Sequence, residues 1–300
     1  MPRTTSVIDL STLAAPDIVE QLDLETIIAA MIADLQSRDA TFSALVESDP
    51  AYKIIEVCAY REYLMRQRVN EACKALLLAY AEKADLDQIG ANYDVERLTI
   101  TPADDDAVPP VAAVMETDAN YRARIQKSFE GYSCAGPISA YEYYAVSASG
   151  DVKDVNVDTP EGGVVRVVVL SQTGDGTAPQ STLDAVQAAL DVEEIRPLCD
   201  TVVVQGAEII PYTVNATIEV ISTFDKNAVA DNARAALAAY VVSSRAIGIG
   251  PSIAGIYAAL FVSGARRVIL NSPGITADME LTETQAPYCT GYTVTGVAVS

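Results

Sequence analysis

The run from Pro50 to Lys83, PAYKIIEVCAYREYLMRQRVNEACKALLLAYAEK, constrains this chain more than any other segment, because no Gly or Pro follows Pro50 within it. Proline is tolerated in a first helical turn, so the spacing predicts one helix over the whole run, with Asp49 as its N-cap. At 1.5 Å per residue such a helix would extend roughly 50 Å, more than a compact domain of this size needs. Its apolar stripe steps by three and four through Ile54, Cys58, Met65, Val69, Ala72, Leu76 and Tyr80, and Arg61 interrupts it. A helix of this kind needs a second surface, in another domain or another chain, which points to a component of an assembly. Arg61, Arg66 and Arg68 crowd its middle, with Glu62 and Glu71 close by. One reading is ordinary surface pairing at helical spacing, worth tenths of a kcal/mol per pair. The other is an ion-pair cluster between chains, since Arg is favoured at interfaces. The candidate interface is therefore Arg61, Met65, Arg66, Arg68, Val69, Ala72 and Leu76.

Composition narrows the function. The 300 residues are 50% hydrophobic, ample for a core split over two or three domains. Net charge is −21, which disfavours nucleic acid and anionic membrane surfaces as partners and suits basic protein surfaces instead. The chain has no His, so every His-based general base, proton shuttle or metal site is excluded. Cys58, Cys73, Cys134, Cys199 and Cys289 are scattered and form no C-x-x-C pair, as expected for reduced thiols in a cytoplasmic protein. MPRTTSVIDLSTLAAP holds no apolar stretch of secretory-signal length, and no aliphatic run approaches the length of a membrane span.

The fold class expected is α+β: an N-terminal helical arm with one long helix, followed by two small α+β modules. The boundaries fall at 1–100 for the arm, 101–116 for a linker strap, 117–206 for the first module and 207–300 for the second. Within the arm a helix is expected over Pro16–Leu35 and a short one over Asp85–Asn92. Two adjoining prolines and three adjoining aspartates mark the strap. Helices are expected over Thr117–Glu130, Pro137–Ala148, Pro179–Leu190 and Asn227–Ser243, with strands at Val152–Val157, Val164–Leu170, Thr201–Gln205 and Tyr212–Ser222. Val202, Val203 and Val204 read as a strand covered on both faces. Val214, Ala216, Ile218 and Val220 alternate, so one face of their strand is buried.

A weak internal repeat runs through the modules. Gly136-Pro137 is followed fourteen residues after Gly136 by Gly150, and Gly250-Pro251 fourteen residues after Gly250 by Gly264. Each interval holds a helix, ISAYEYYAVSA or SIAGIYAALFV, and each is followed by a strand, DVKDVNV or ARRVIL. Duplication predicts that each glycine lies in the helix-to-strand turn, with positive φ in at least one copy.

No constellation carries evident chemistry. Asp104-Asp105-Asp106 and Asp175 lack the alternating oxygens and distal Glu of a calcium loop and read as solvated, or as an acidic contact for a basic partner. Tyr141, Tyr143 and Tyr144 fit core packing or an interface anchor. Cys134 lacks the His that would activate it. Neither a metal nor a cofactor is expected, and no phosphate-binding glycine loop is present.

The stretches AYREYLMRQRVNEA and LLLAYAEKADLDQIGANYDVERLTITPADDDAVPP closely resemble the baseplate protein J family. The resemblance begins at VIDLSTLAAPDIVEQLDLETI, continues through YRARIQKSFEGYSCAGPISAYEYYAVSASGDVKDVNV and ends at TQAPYCT. These are baseplate wedge proteins of contractile phage tails and of tail-derived particles such as R-type pyocins. The resemblance implies a structural subunit without catalytic activity. Its implied partners are a second copy of itself, a smaller partner wedge protein, the sheath-initiator protein and the central hub and spike. It further implies a ring that relays the trigger for sheath contraction. The competing reading from another class is a small α+β hydrolase or metal-binding enzyme, which the missing His and the missing ligand cluster disfavour.

Overall fold

The structure, a computed structural model, describes residues 8–132, 136–193 and 195–299. The chain divides into two compact units, Met1–Arg97 with Thr117–Gln126, and Leu98–Glu116 with Lys127–Ser300.

The first unit is helical. Helix α1 spans Leu24–Arg38, α2 Pro50–Ala75, α3 Lys83–Ala91 and α4 Asp118–Lys127. Helix α1 starts later than its periodicity suggests because Asp23 caps it, accepting from the Thr26 amide at 3.0 Å and its hydroxyl at 2.6 Å. The residues before it lie instead along α2. The Glu20 amide donates to Asn70 Oδ1 at 3.1 Å, and Asn70 Nδ2 returns a bond to the Glu20 carbonyl at 2.9 Å. Helices α1 and α2 pack through Ile27, Ile28 and Ala59, with Tyr52, Ile55 and Tyr63 around them.

Helix α2 runs 26 residues and stops at Ala75, short of Lys83. No glycine or proline stops it. Its cause is tertiary: Arg122 of α4 donates from Nε to the Leu78 carbonyl and from Nη2 to the Ala81 carbonyl, each at 2.6 Å. Those carbonyls need no helical partner once Arg122 satisfies them. Leu78 and Ala81 then pack with Leu86, Val95, Tyr121 and Ile125 in a core of their own. Asp49 occupies the N-cap position of α2, but its carboxylate accepts from the Val46 amide rather than from the helix. Arg97 joins α3 to α4, bonding Asp87 and Asp118 at 2.8 Å each and lying 4.7 Å over the Tyr121 ring.

In the second unit, the segment expected to be a strap contains a small hairpin. Strand β1, Thr99–Thr101, pairs antiparallel with β2, Val114–Met115, and a bridge joins Asp104 to Val111. Asp104 Oδ1 takes the amides of Asp106 and Ala107, so the acidic run turns on itself.

Two three-stranded sheets follow. Helix α5 (Ile138–Ser147), β3 (Val152–Glu161), β4 (Val164–Ser171), α6 (Gln180–Leu190) and β5 (Thr201–Gly206) build the first, in the order β3-β4-β5. Strand β4 pairs antiparallel with β3 and parallel with β5. Tyr141 and Ala145 of α5 and Val186 and Leu190 of α6 cover one face, packing on Val155, Val167 and Val169. The expected two-sided cover of β5 does not occur: Val202 is buried in the core beneath α5 and α6, and Val203, on the opposite face, is exposed. The second sheet is built by β6 (Glu208–Ile221), α7 (Lys226–Ser243), α8 (Ile253–Leu260), β7 (Ala265–Leu270) and β8 (Gln285–Val299), in the order β7-β6-β8. Val214, Ala216, Ile218 and Val220 face Val229, Ala233 and Leu237 of α7 and Ile256 and Leu260 of α8. Each Val, Leu or Ile among them taken from water contributes about 1.5–3 kcal/mol.

Both sheets have a middle strand with an antiparallel neighbour on one side and a parallel neighbour on the other, and two helices on one face. Both repeat segments form a helix followed by a strand, α5 into β3 and α8 into β7. Gly264 turns between its helix and strand with φ +91°, while Gly150 is not among the glycines of positive φ. The likeness stops at the helix-strand unit. The middle strand β4 follows that unit in the first module, whereas β6 precedes it in the second. The chain therefore threads two similar layouts in different orders.

Candidate assembly interface

The site is built on α2. Successive residues turn by about 100°, so Ala59, fully buried, points toward α1 together with Tyr52, Ile55 and Tyr63. The opposite face is open. Ile54, Cys58, Met65, Val69, Ala72 and Leu76 are all exposed, Met65 at 72% and Leu76 at 80%. Leu76 sits at the C-cap, one residue past the helix. Tyr80, the last step of the expected stripe, lies beyond the helix, where its hydroxyl donates to the Leu13 carbonyl at 2.8 Å.

A second apolar ridge lies beside the first. Val57, Tyr60 and Leu64 are exposed as well. Their three-and-four spacing was present in the sequence, but nothing there showed which ridge faces α1. Between α1 and α2 a groove of about 460 Å³ is lined by Leu24, Ile28, Val57 and Tyr60, with Glu25, Glu56 and Arg61 also in its lining.

The three arginines differ. Arg66 bridges Glu62 at 2.7 Å and Glu20 at 3.4 Å, which ties α2 to the segment before α1. Arg68 sits 3.7 Å from Glu71 along its own helix. Arg61 is exposed and makes no ion pair or side-chain hydrogen bond among the described residues. At the start of the helix Lys53 donates to Glu56 at 2.9 Å, and that bond holds its ammonium above the ordinary lysine value.

The other sequence candidates resolve differently. Tyr141 is buried, and its hydroxyl donates to Asp200 at 2.9 Å. Burial, then the Asp200 acceptor, pushes its phenol well above the usual value. Tyr143 and Tyr144 meet edge to face at 5.5 Å, and Tyr144 donates to the Gly131 carbonyl. Asp175 accepts the Thr177 amide at 3.0 Å, which holds its carboxyl below the usual range. Cys58 and Cys199 are exposed, Cys73 and Cys289 half-buried, and Cys134 lies outside the described residues. Among the described residues no group of three or more His, Cys, Asp or Glu side chains is placed to hold a metal ion. No helix among them is long and apolar enough to cross a membrane.

An open apolar face along most of a 26-residue helix is a surface suited to contact with another chain. Family comparison agrees. Residues 47–104 match the Baseplate J-like N-terminal domain, and residues 133–206 match the Baseplate J-like central domain. Baseplate protein J of Escherichia phage P2 is 44% identical over 295 residues, covering 96% of this chain and 97% of that protein. The chain belongs to the baseplate J family. Helix α2 falls within the first matched domain, and the sheet β3-β4-β5 within the second.

Proposed function

We propose that this chain is a structural subunit of the baseplate wedge in a contractile tail or injection particle, where copies assemble a ring around the central hub and relay the trigger for sheath contraction. The open face of α2 carries the reading, because a chain of this composition leaves that much apolar surface uncovered only where another chain covers it. Membership of the baseplate J family supports a place in a tail baseplate. Within it the contacts are a second copy of the chain, a smaller partner wedge protein, the sheath-initiator protein and the hub and spike. The net charge of −21 suits basic partner surfaces and gives no hold for nucleic acid. The chain is made in the host cytoplasm, ends in the tail baseplate and acts without catalysis or cofactor. Inactivating its gene in a particle-producing strain is expected to leave no sheathed tails in electron micrographs. Supplying the gene in trans restores them. Normal tails from the inactivated strain overturn the proposal.

A further inference from the structure

We propose that the two three-stranded sheets of the second unit share a core and move as a single rigid body, so that a displacement imposed on either sheet reaches the other undiminished. The motion delivered rests on the baseplate reading, while the joint itself stands on packing within the chain.

Strand β4 is the middle strand of the first sheet, and its alternate residues face opposite ways. Val167 and Val169 pack under α5 and α6. Val168 and Leu170 face the other way, where a sheet with helices on one side only would meet water. Both are fully buried there, in a cluster with Ala207, Ile209, Ile247 and Ala286. Ile209 lies on β6, Ile247 follows α7 and Ala286 is on β8, so three separate segments of the second module close over one face of the first sheet.

Polar groups of β3 fasten the same joint. The Ile247 amide donates to Asp154 Oδ2 at 2.8 Å. Asn156 Nδ2 donates to the Glu283 carbonyl and Lys153 Nζ to the Val242 carbonyl, each at 3.0 Å.

The covalent connection adds no slack. Strand β5 ends at Gly206 and β6 begins at Glu208, which leaves Ala207 alone between them. Ala207 is buried, and its amide donates to the Val169 carbonyl at 2.9 Å. A hinge needs residues free to change φ and ψ, and this one is held. Swinging the sheets apart would return Val168, Leu170 and Ile247 to water and break the three bonds from β3. Elements that share a close-packed core in this way transmit displacement instead of absorbing it.

The test places spin labels, carried on an unnatural amino acid, at Ser181 of α6 and Asn232 of α7, both exposed. Pulsed electron resonance is measured on particles in which the doubly labelled chain is diluted with unlabelled chain, before and after sheath contraction. One narrow distance distribution with the same maximum in both states is expected. A maximum that moves on contraction, or a second maximum in either state, shows a working joint and overturns the proposal while the baseplate reading stands. If particles assemble without the chain, the baseplate reading falls, and the labels on the isolated chain still decide the joint: a narrow distribution supports the rigid body and a broad one overturns it. As a second measure, Val167→Ala loosens the first sheet's own core, on the side away from the joint. Hydrogen exchange of the full chain is then expected to speed the slowest amides of β6 at least about ten-fold, because a body with a shared core opens as one. Faster exchange confined to the first sheet means that the sheets open separately, and it too overturns the proposal.

Discussion

The Tyr121 ring of α4 lies so close to Gly90 of α3 that a Cβ at position 90 would meet its hydroxyl and ring carbon. That hydroxyl donates a 2.6 Å hydrogen bond to the Val95 carbonyl, so it has no freedom to withdraw. The glycine is there for close approach, and its φ is an ordinary one.

Gly90→Ala is therefore expected to destabilise the chain by about 1–3 kcal/mol through overpacking. Tyr121→Phe alone should cost about 1 kcal/mol for the lost buried bond. Because the phenylalanine removes the oxygen that the alanine strikes, the double variant should be less destabilised than the sum. Urea denaturation of the four proteins measures the coupling, and strict additivity would refute the steric account.

Much of this fold was legible in the sequence because the signals are local. The buried alternation of Val214 to Val220 appears as read, and α2 begins at Pro50 as its spacing demands. What was not legible depends on residues far apart in the chain. The end of α2 is set by Arg122, more than forty residues on from the carbonyls it satisfies. The parallel pairing of β8 with β6 joins Glu208 to Gln285, and no periodicity in either strand announces it. The same holds for the interface. The stripe on α2 was readable, but only the seating of α1 against Ala59 shows that the stripe is the open side.

Alkaline pH should weaken the fold through Tyr141. An unfolded tyrosine titrates near pH 10. Burial, and then the bond to Asp200, raises the folded value, so above that pH the folded state keeps a proton the unfolded state has lost. The resulting stability is fully present below about pH 10 and falls by about 1.4 kcal/mol per pH unit as pH rises toward the folded value. Tyr212, raised mainly by burial, adds a loss of the same sign. Tyr141→Phe should flatten the slope of stability against pH by one proton's worth. Urea midpoints from pH 8 to 11 decide it, and an unchanged slope would show that the phenol ionises as freely folded as unfolded.

The open face of α2 makes a different kind of prediction, in which stability and assembly separate. Val69 and Leu76 are exposed, so Val69→Asp with Leu76→Asp removes no buried contact within the chain. Substitutions of this sort usually change stability by no more than about 0.5 kcal/mol each, and the isolated chain should melt within a few degrees of the parent. In an assembled particle the two aspartates would be forced into an apolar seam, where each unpaired charge costs several kcal/mol. Incorporation into particles should therefore collapse. Ala59→Asp is the opposite control: Ala59 is fully buried against α1, so its loss should appear first in the melting temperature. Thermal melts of the purified chains, set beside quantitation of each chain in purified particles, separate the two behaviours. Should the Val69 and Leu76 variant melt as early as the Ala59 variant, the seam belongs to the chain's own core and α2 is not where another subunit docks.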